Sequence, residues 1–324
     1  MPFPFNVYAL AAGSAFVTTV LALPLWRVWC RRTGLVDEPG HRKIHGEAIP
    51  LAGGLAVWTG LAVPLVAATV ALANQWVQPA AVHALSYGLG RRQWQLLALL
   101  GGALGMLLLG WWDDRAELPP LPKFGGQVLV AAAVAASGVR ITLFVPSLTF
   151  SFAITVLWVL TVTNAFNFTD NMNGLCAGLG LIGALGFGCH AAAAGQYLVA
   201  LLAFLVTGAL AGFLPYNFPR ASVFLGDAGS HLIGYLLAVL AILPHFYTPA
   251  HRSAWAVLDP LLILAVPLAD LVTVVVVRWR LGRPFYVGDT NHFSHRLVRR
   301  GWSARAAVLL LWGLMALTVA LARW

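Results

Sequence analysis

Of the chain's 324 residues, 60% are hydrophobic and only 10% are charged, against about 25% charged in ordinary soluble domains. With a mean hydropathy of +0.81, no water-soluble core of this length could cover that apolar surface, which excludes a soluble enzyme, a disordered chain and a disulfide scaffold. The net charge of +9 comes from 18 Arg and 2 Lys gathered between apolar runs; no polar stretch is long enough to be a basic nucleic-acid-binding module. The composition is that of an all-α, polytopic integral membrane protein. Its three cysteines, Cys30, Cys176 and Cys189, lack CxxC spacing and read as small core residues.

A helix needs about 20 mostly apolar residues to cross the hydrocarbon core. In chain order such runs fall at residues 5–26, 51–73, 94–112, 124–139, 152–166, 174–194, 197–214, 228–246, 256–277 and 304–322. The first lacks a basic leader and a small-residue cleavage site, and reads as a retained span rather than a signal peptide. Before the fifth run, residues 140–151 alternate Ile141, Leu143, Val145 and Leu148, the pattern of a small hairpin. Ten spans put both termini on one side. One set of loops, with the start of the last span, carries fifteen basic residues; the opposite side has five, Arg91, Arg92, Arg140, Arg252 and Arg323. The positive-inside rule makes the first set cytoplasmic and both termini extracytoplasmic. Nine of the eleven acids share that cytoplasmic side. Ionisable groups gathered at one membrane face favour a site where a cytosolic compound meets the inner leaflet.

Four polar motifs lie at that face. Asp113 and Asp114 in Gly110-Trp111-Trp112-Asp113-Asp114-Arg115 are adjacent carboxylates at a helix end. Their repulsion calls for a cation or a shared proton, such as a divalent metal completed by phosphates. Residues 164–174 hold Asn164, Asn167, Asp170, Asn171 and Asn173 ahead of Gly174. That is more polar groups than a helix cap uses, and their amides suit a base or sugar. Gly226-Asp227-Ala228-Gly229-Ser230 opens a span, where free N–H groups can meet phosphate. His292 and His295 are three apart and share a face beside Arg296, Arg299 and Arg300, an anion-binding surface. Zinc is a rival reading of that HxxH, although no Cys or third His lies near in sequence. The first cytoplasmic loop adds the basic run His41-Arg42-Lys43-Ile44-His45. Asp270, inside the ninth run after Pro267, is a functional candidate because intramembrane carboxylates are rare. The remaining histidines read as structural.

Taken in order from Leu35 to Leu297, VDEPGHRKIH, GWWDDR, NAFNFTDNMNG, FLGDAGS and DTNHFSHRL resemble the polyprenyl-phosphate N-acetylhexosamine-1-phosphate transferases. The resemblance implies one transmembrane transferase domain over residues 1–324, acting at the cytoplasmic face of the plasma membrane. It implies magnesium (manganese being the alternative), a UDP-N-acetylhexosamine donor with UDP-GlcNAc the default, and undecaprenyl or another polyprenyl phosphate as acceptor. Asp113, Asp114 and Asp170 match the catalytic aspartates; Asp227, with Asp114, matches the metal ligands. Arg42, Lys43, His45, Asn164, Asn167, Asn173, His292, His295 and Arg296 match substrate-binding positions. Two departures stand out. Asn173 replaces a second acid found in many members, and the late motif is HxxH rather than a histidine triplet. Whether the chain works as a homodimer stays open. The rival reading is a lipid or solute transporter with cytoplasmic-face ion sites, which would require charges deep in the spans; only Asp270 qualifies.

Overall fold

The computed structural model describes residues 3–38, 47–74, 76, 79–143, 145–244 and 254–322. It is an all-helical bundle with one minimal strand pair. The helices are α1 (Phe5–Thr33), α2 (Gly53–Ala73), α3 (Pro79–Ala116), α4 (Pro120–Ala136), α5 (Leu148–Thr169), α6 (Leu175–Ala193) and α7 (Tyr197–Asn217). They continue with α8 (Gly226–Leu240), α9 (Asp259–Ile263), α10 (Ala265–Arg280), α11 (Phe293–Arg299) and α12 (Ala304–Leu321). Among the described residues, seven helices are long and apolar enough to cross a membrane, and the bent pair α9–α10 makes an eighth. The chain is a multi-pass membrane protein. Each of the ten apolar runs falls on a helix, but α4 and α8 are short, at 17 and 15 residues.

The shortness of α8 follows from its place. Every residue from Ala228 to Leu240 is buried, and α2, α3, α5, α6 and α7 all pack on it. A helix apolar on all sides belongs in the middle of a bundle. At 1.5 Å per residue it is about 22 Å long, shorter than the ~30 Å hydrocarbon core. It ends at Leu240 rather than continuing to residue 246 as the hydropathy suggests, and residues 245–246 lie outside the described residues. By contrast α3, with 38 residues, runs through Arg91 and Arg92, which the sequence places in an outer loop.

Three other expectations change. The alternating stretch before α5 forms no strand among its described residues. Hydroxyls take over its backbone: Ile141 donates its N–H to Thr155 Oγ1 at 2.9 Å, and Ser151 Oγ donates to the Ile141 carbonyl at 2.7 Å. The ninth run breaks at Leu264, and its two halves meet at 73°. Pro267, in the first turn of α10, has no N–H and would clash with the carbonyl four residues back, so the helix restarts there. The strand pair, β1 (Val36–Asp37) with β2 (Ile49–Pro50), is antiparallel and was not expected. Beyond β2 the chain bonds to the segment entering α8: Phe224 N–H to the Pro50 carbonyl at 3.0 Å, Gly53 N–H to Phe224 at 3.0 Å, and Gly54 N–H to Leu225 at 3.1 Å. The first loop is thereby anchored beside the start of α8.

Close approach of α3 to α8 depends on Gly110. A Cβ there would overlap the Asp227 carbonyl and the Ala228 amide, both backbone and unable to yield. Gly110→Ala should therefore push α3 off α8 and cost about 1–3 kcal/mol, the usual price of overpacking. Gly13→Ala, with open space around the new methyl, should leave thermal unfolding in detergent unchanged. Equal midpoints for the two variants would contradict this packing.

Candidate active site

The α8 N-terminus is half-buried at Gly226 and Asp227, and Leu225, before its first residue, has no side chain able to cap it. Its free N–H groups are met from another helix. Asp114, in the last turn of α3, accepts from Asp227 N–H at 2.7 Å through Oδ1 and from Ala228 N–H at 3.0 Å through Oδ2. A carboxylate at this end also suits the helix dipole. Gly226 makes the geometry available: its φ is +73°, and a side chain there would strike the Asp114 carboxylate.

With Asp114 on the backbone, its neighbour Asp113 faces α4. Asp113 Oδ2 lies 2.5 Å from Lys123 Nζ, and Lys123 Nζ lies 3.0 Å from Asp227 Oδ2. Asp113 Oδ1 accepts from Leu118 N–H at 2.7 Å. The other oxygen of Asp227 takes Asn167 Nδ2 at 2.5 Å, and the same amide reaches Ser230 Oγ at 2.9 Å. Asp170, at the end of α5, is close enough to feel the charges of Asp227 and Asp114. Two of these four carboxylates, Asp113 and Asp227, share the Lys123 ammonium. Asp114, expected from sequence as a metal ligand with Asp227, accepts from the backbone of the helix that carries Asp227.

A second cluster adjoins the first through the end of α5. Phe168 meets the His292 ring edge-on at 5.9 Å and carries the Arg278 guanidinium 4.8 Å over its face. Asn171 accepts from Ser294 Oγ at 2.6 Å. His292 and His295 do share a face, with ring centroids 5.8 Å apart. The His295 imidazole is held below its usual value by burial, then by His292 and Arg299. Asp289 binds Arg278 Nε at 3.1 Å and Asn291 N–H at 2.9 Å. Burial works against its ionisation, but these hydrogen bonds prevail and bring the carboxyl down to about 2.

Asn167, Asp170, Asp113, Asp114 and Asp227 come together as expected, as do His292 and His295. Asn164 does not join them: its amide donates to Gln127 Oε1 of α4 at 2.7 Å, inside the bundle. Asn173 lies half-buried in the α5–α6 loop, and Arg296 half-buried on α11. Arg42, Lys43 and His45 lie outside the described residues. Two residues were missed. Lys123 is one of only two lysines and stands in the first turn of α4, where the helix dipole opposes a cation; that mismatch is its signal. Asn217, buried at the end of α7, accepts from Gly174 N–H at 2.6 Å and donates to the Val223 carbonyl at 2.9 Å. It ties the α5–α6 loop to the approach to α8, and nothing in the sequence around it marks that role.

Burial, then the charges of Asp227 and Asp114, push the Asp170 carboxyl from 3.8 up to about 8. The folded state therefore holds this proton more tightly than the unfolded chain. The resulting stabilisation is complete below about pH 4 and is lost as pH rises through about 8. In buffer free of divalent cations, the unfolding midpoint should fall between about pH 5 and about pH 9, and Asp170→Asn should flatten that slope. An unchanged slope in the variant would assign it elsewhere.

Residues 96–245 match the sequence profile of glycosyl transferase family 4. The decaprenyl-phosphate N-acetylglucosaminephosphotransferase of Mycobacterium tuberculosis is 33% identical over 338 residues, covering 95% of this chain and 80% of that protein. Its Mycolicibacterium smegmatis counterpart is 34% identical with the same coverage. The undecaprenyl-phosphate alpha-N-acetylglucosaminyl 1-phosphate transferase of Escherichia coli is 27% identical over 314 residues, covering 92% of this chain and 78% of that protein. With this extent of similarity and the motif aspartates assembled at one helix end, the chain belongs to the membrane-embedded polyprenyl-phosphate N-acetylglucosamine-1-phosphate transferases of glycosyl transferase family 4.

Proposed function

We propose that the chain transfers N-acetylglucosamine 1-phosphate from UDP-N-acetylglucosamine to a polyprenyl phosphate at the cytoplasmic face of the plasma membrane, releasing UMP. Family membership carries the reaction class. The observation that carries the site is the convergence of Asp113 and Asp227 on the Lys123 ammonium at the N-terminus of α8. The orientation rests on the fifteen-to-five division of basic residues between the two sides.

The donor set fits magnesium, which takes one or two carboxylates and completes its shell with water and substrate phosphates. Asp113 and Asp227 would hold the ion, and when bound it would neutralise diphosphate charge and stabilise the departing UMP. Asp114 and Asn167 keep Asp227 in place from two sides. A lipid phosphate oxygen attacks the sugar-linked phosphorus, and the bond from that phosphorus to the bridging oxygen breaks, leaving with UMP. Lys123 screens the approach of two anions. Asp170, with its value near 8, is the acid matched to exchanging a proton with the lipid phosphate near neutral pH; Asp113, tied to Lys123, is better suited to charge placement. His292, His295 and Arg296 supply the surface for the nucleotide sugar. The transporter reading loses its one support, because Asp270 is engaged by His292 and the α11 backbone.

Purified protein given UDP-N-acetylglucosamine, undecaprenyl phosphate and magnesium should release UMP. Asp113→Asn and Asp227→Asn should each lower the rate by about 10²–10⁴-fold while the protein still folds in detergent. Absence of UMP with every UDP-amino sugar tried would end the transferase proposal. Near-normal turnover in either variant would remove that residue from the site.

A further inference from the structure

The ninth apolar run carries the buried acid Asp270, which neither the cation site nor the α8 cap uses. It sits on α10 just past the 73° break and is 4% exposed. Both its oxygens are committed to one short stretch of chain. Oδ2 lies 2.7 Å from His292 Nδ1, and Oδ1 accepts from Phe293 N–H at 2.6 Å. His292 is 5% exposed, and the hydrogen bond its ring makes to Asp270 uses Nδ1, not Nε2.

We propose that Asp270 is a positioning residue that holds His292 as the Nδ1–H tautomer and so reserves Nε2 for the nucleotide-sugar donor. A carboxylate can only accept, so the imidazole nitrogen facing it carries the proton. The hydrogen bond made by one ring nitrogen sets what the other can do. The second bond, to Phe293 N–H, fixes the backbone from which His292 projects, so ring and main chain are set by one group.

The surroundings give this contact leverage. Arg278, about two turns further along α10 and 2% exposed, binds Asp289 and the Phe285 carbonyl. The loop between α10 and α11 is therefore held from α10 at both ends. Phe168 lies between the Arg278 guanidinium and the His292 ring, and its neighbour Asn167 holds Asp227. A tilt of His292 would press on the residue next to the one that orients the cation site. Burying a carboxylate is costly without such bonds; here every oxygen serves the histidine or its backbone.

The kinetic part of the test rests on the transferase reading, whereas the spectroscopic part stands without it. In protein labelled with 15N-histidine, His292→Gln identifies the His292 signals among the nine histidines. In its neutral form His292 should show a protonated Nδ1 and an unprotonated Nε2. Asp270→Asn keeps an oxygen for Phe293 N–H but turns N–H donors toward Nδ1, so the proton should move to Nε2. The same variant should lose about 10²–10⁴-fold in kcat/KM for the UDP-sugar, the scale of a wrong tautomer. On a His292→Ala background, Asp270→Asn should cost nothing more. An Nε2–H tautomer in the unaltered protein, an unmoved tautomer in Asp270→Asn, or additive losses in the double variant would each overturn the proposal. A lowered unfolding midpoint with the tautomer unchanged would leave Asp270 a merely structural residue and overturn it as well.

Discussion

The Asp114 carboxylate on the α8 backbone is the contact on which the rest of the site depends. The first amides of a helix need acceptors from outside it, and α8 is buried from Ala228 onward. Asp114 satisfies two of them from α3, and Gly110, one turn earlier, lets the two backbones meet. Helix position, register and chemistry are then set together. Once Asp114 is turned inward, the next side chain back, Asp113, can only face α4, where Lys123 joins it to Asp227. The Asp113–Lys123–Asp227 group is a consequence of how this helix start is satisfied.

The end of α5 couples this site to the histidine cluster. Consecutive residues look in different directions: Asn167 toward Asp227 and Phe168 toward His292 and Arg278. Asn171, a turn later, meets Ser294 of α11. The α5–α6 loop is fixed from below by Asn217. The Asp113–Lys123–Asp227 group and the His292–His295 pair are thereby held at a set separation. On the proposed function this separation would position a donor, and positioning is where much of the acceleration of a phosphoryl transfer arises.

Much of the architecture was legible because a bilayer imposes length and apolarity on every crossing. All ten runs became helices, and the motif acids did gather at helix ends. What sequence could not supply were the contacts between segments far apart in the chain. Asp113 and Asp114 look equivalent in a string of letters, yet one caps a helix 113 residues away and the other holds a lysine. Asn164 and Asn167 belong to one motif, but one turn of helix sends Asn164 to Gln127. Alternation before α5 suggested a hairpin; the hydroxyls of Ser151 and Thr155 captured that backbone instead. Asp270 stood out as a rare intramembrane acid, but only the fold supplied its histidine.

In the proposed reaction the sugar-linked phosphorus crosses to the lipid at the Asp113–Asp227 site, and the fate of each phosphorus decides whether it does. With UDP-N-acetylglucosamine labelled at the β-phosphorus, the label should enter the polyprenyl lipid together with the sugar, while label at the α-phosphorus should leave in UMP. Sugar reaching the lipid with the β-label left on the nucleotide would contradict it.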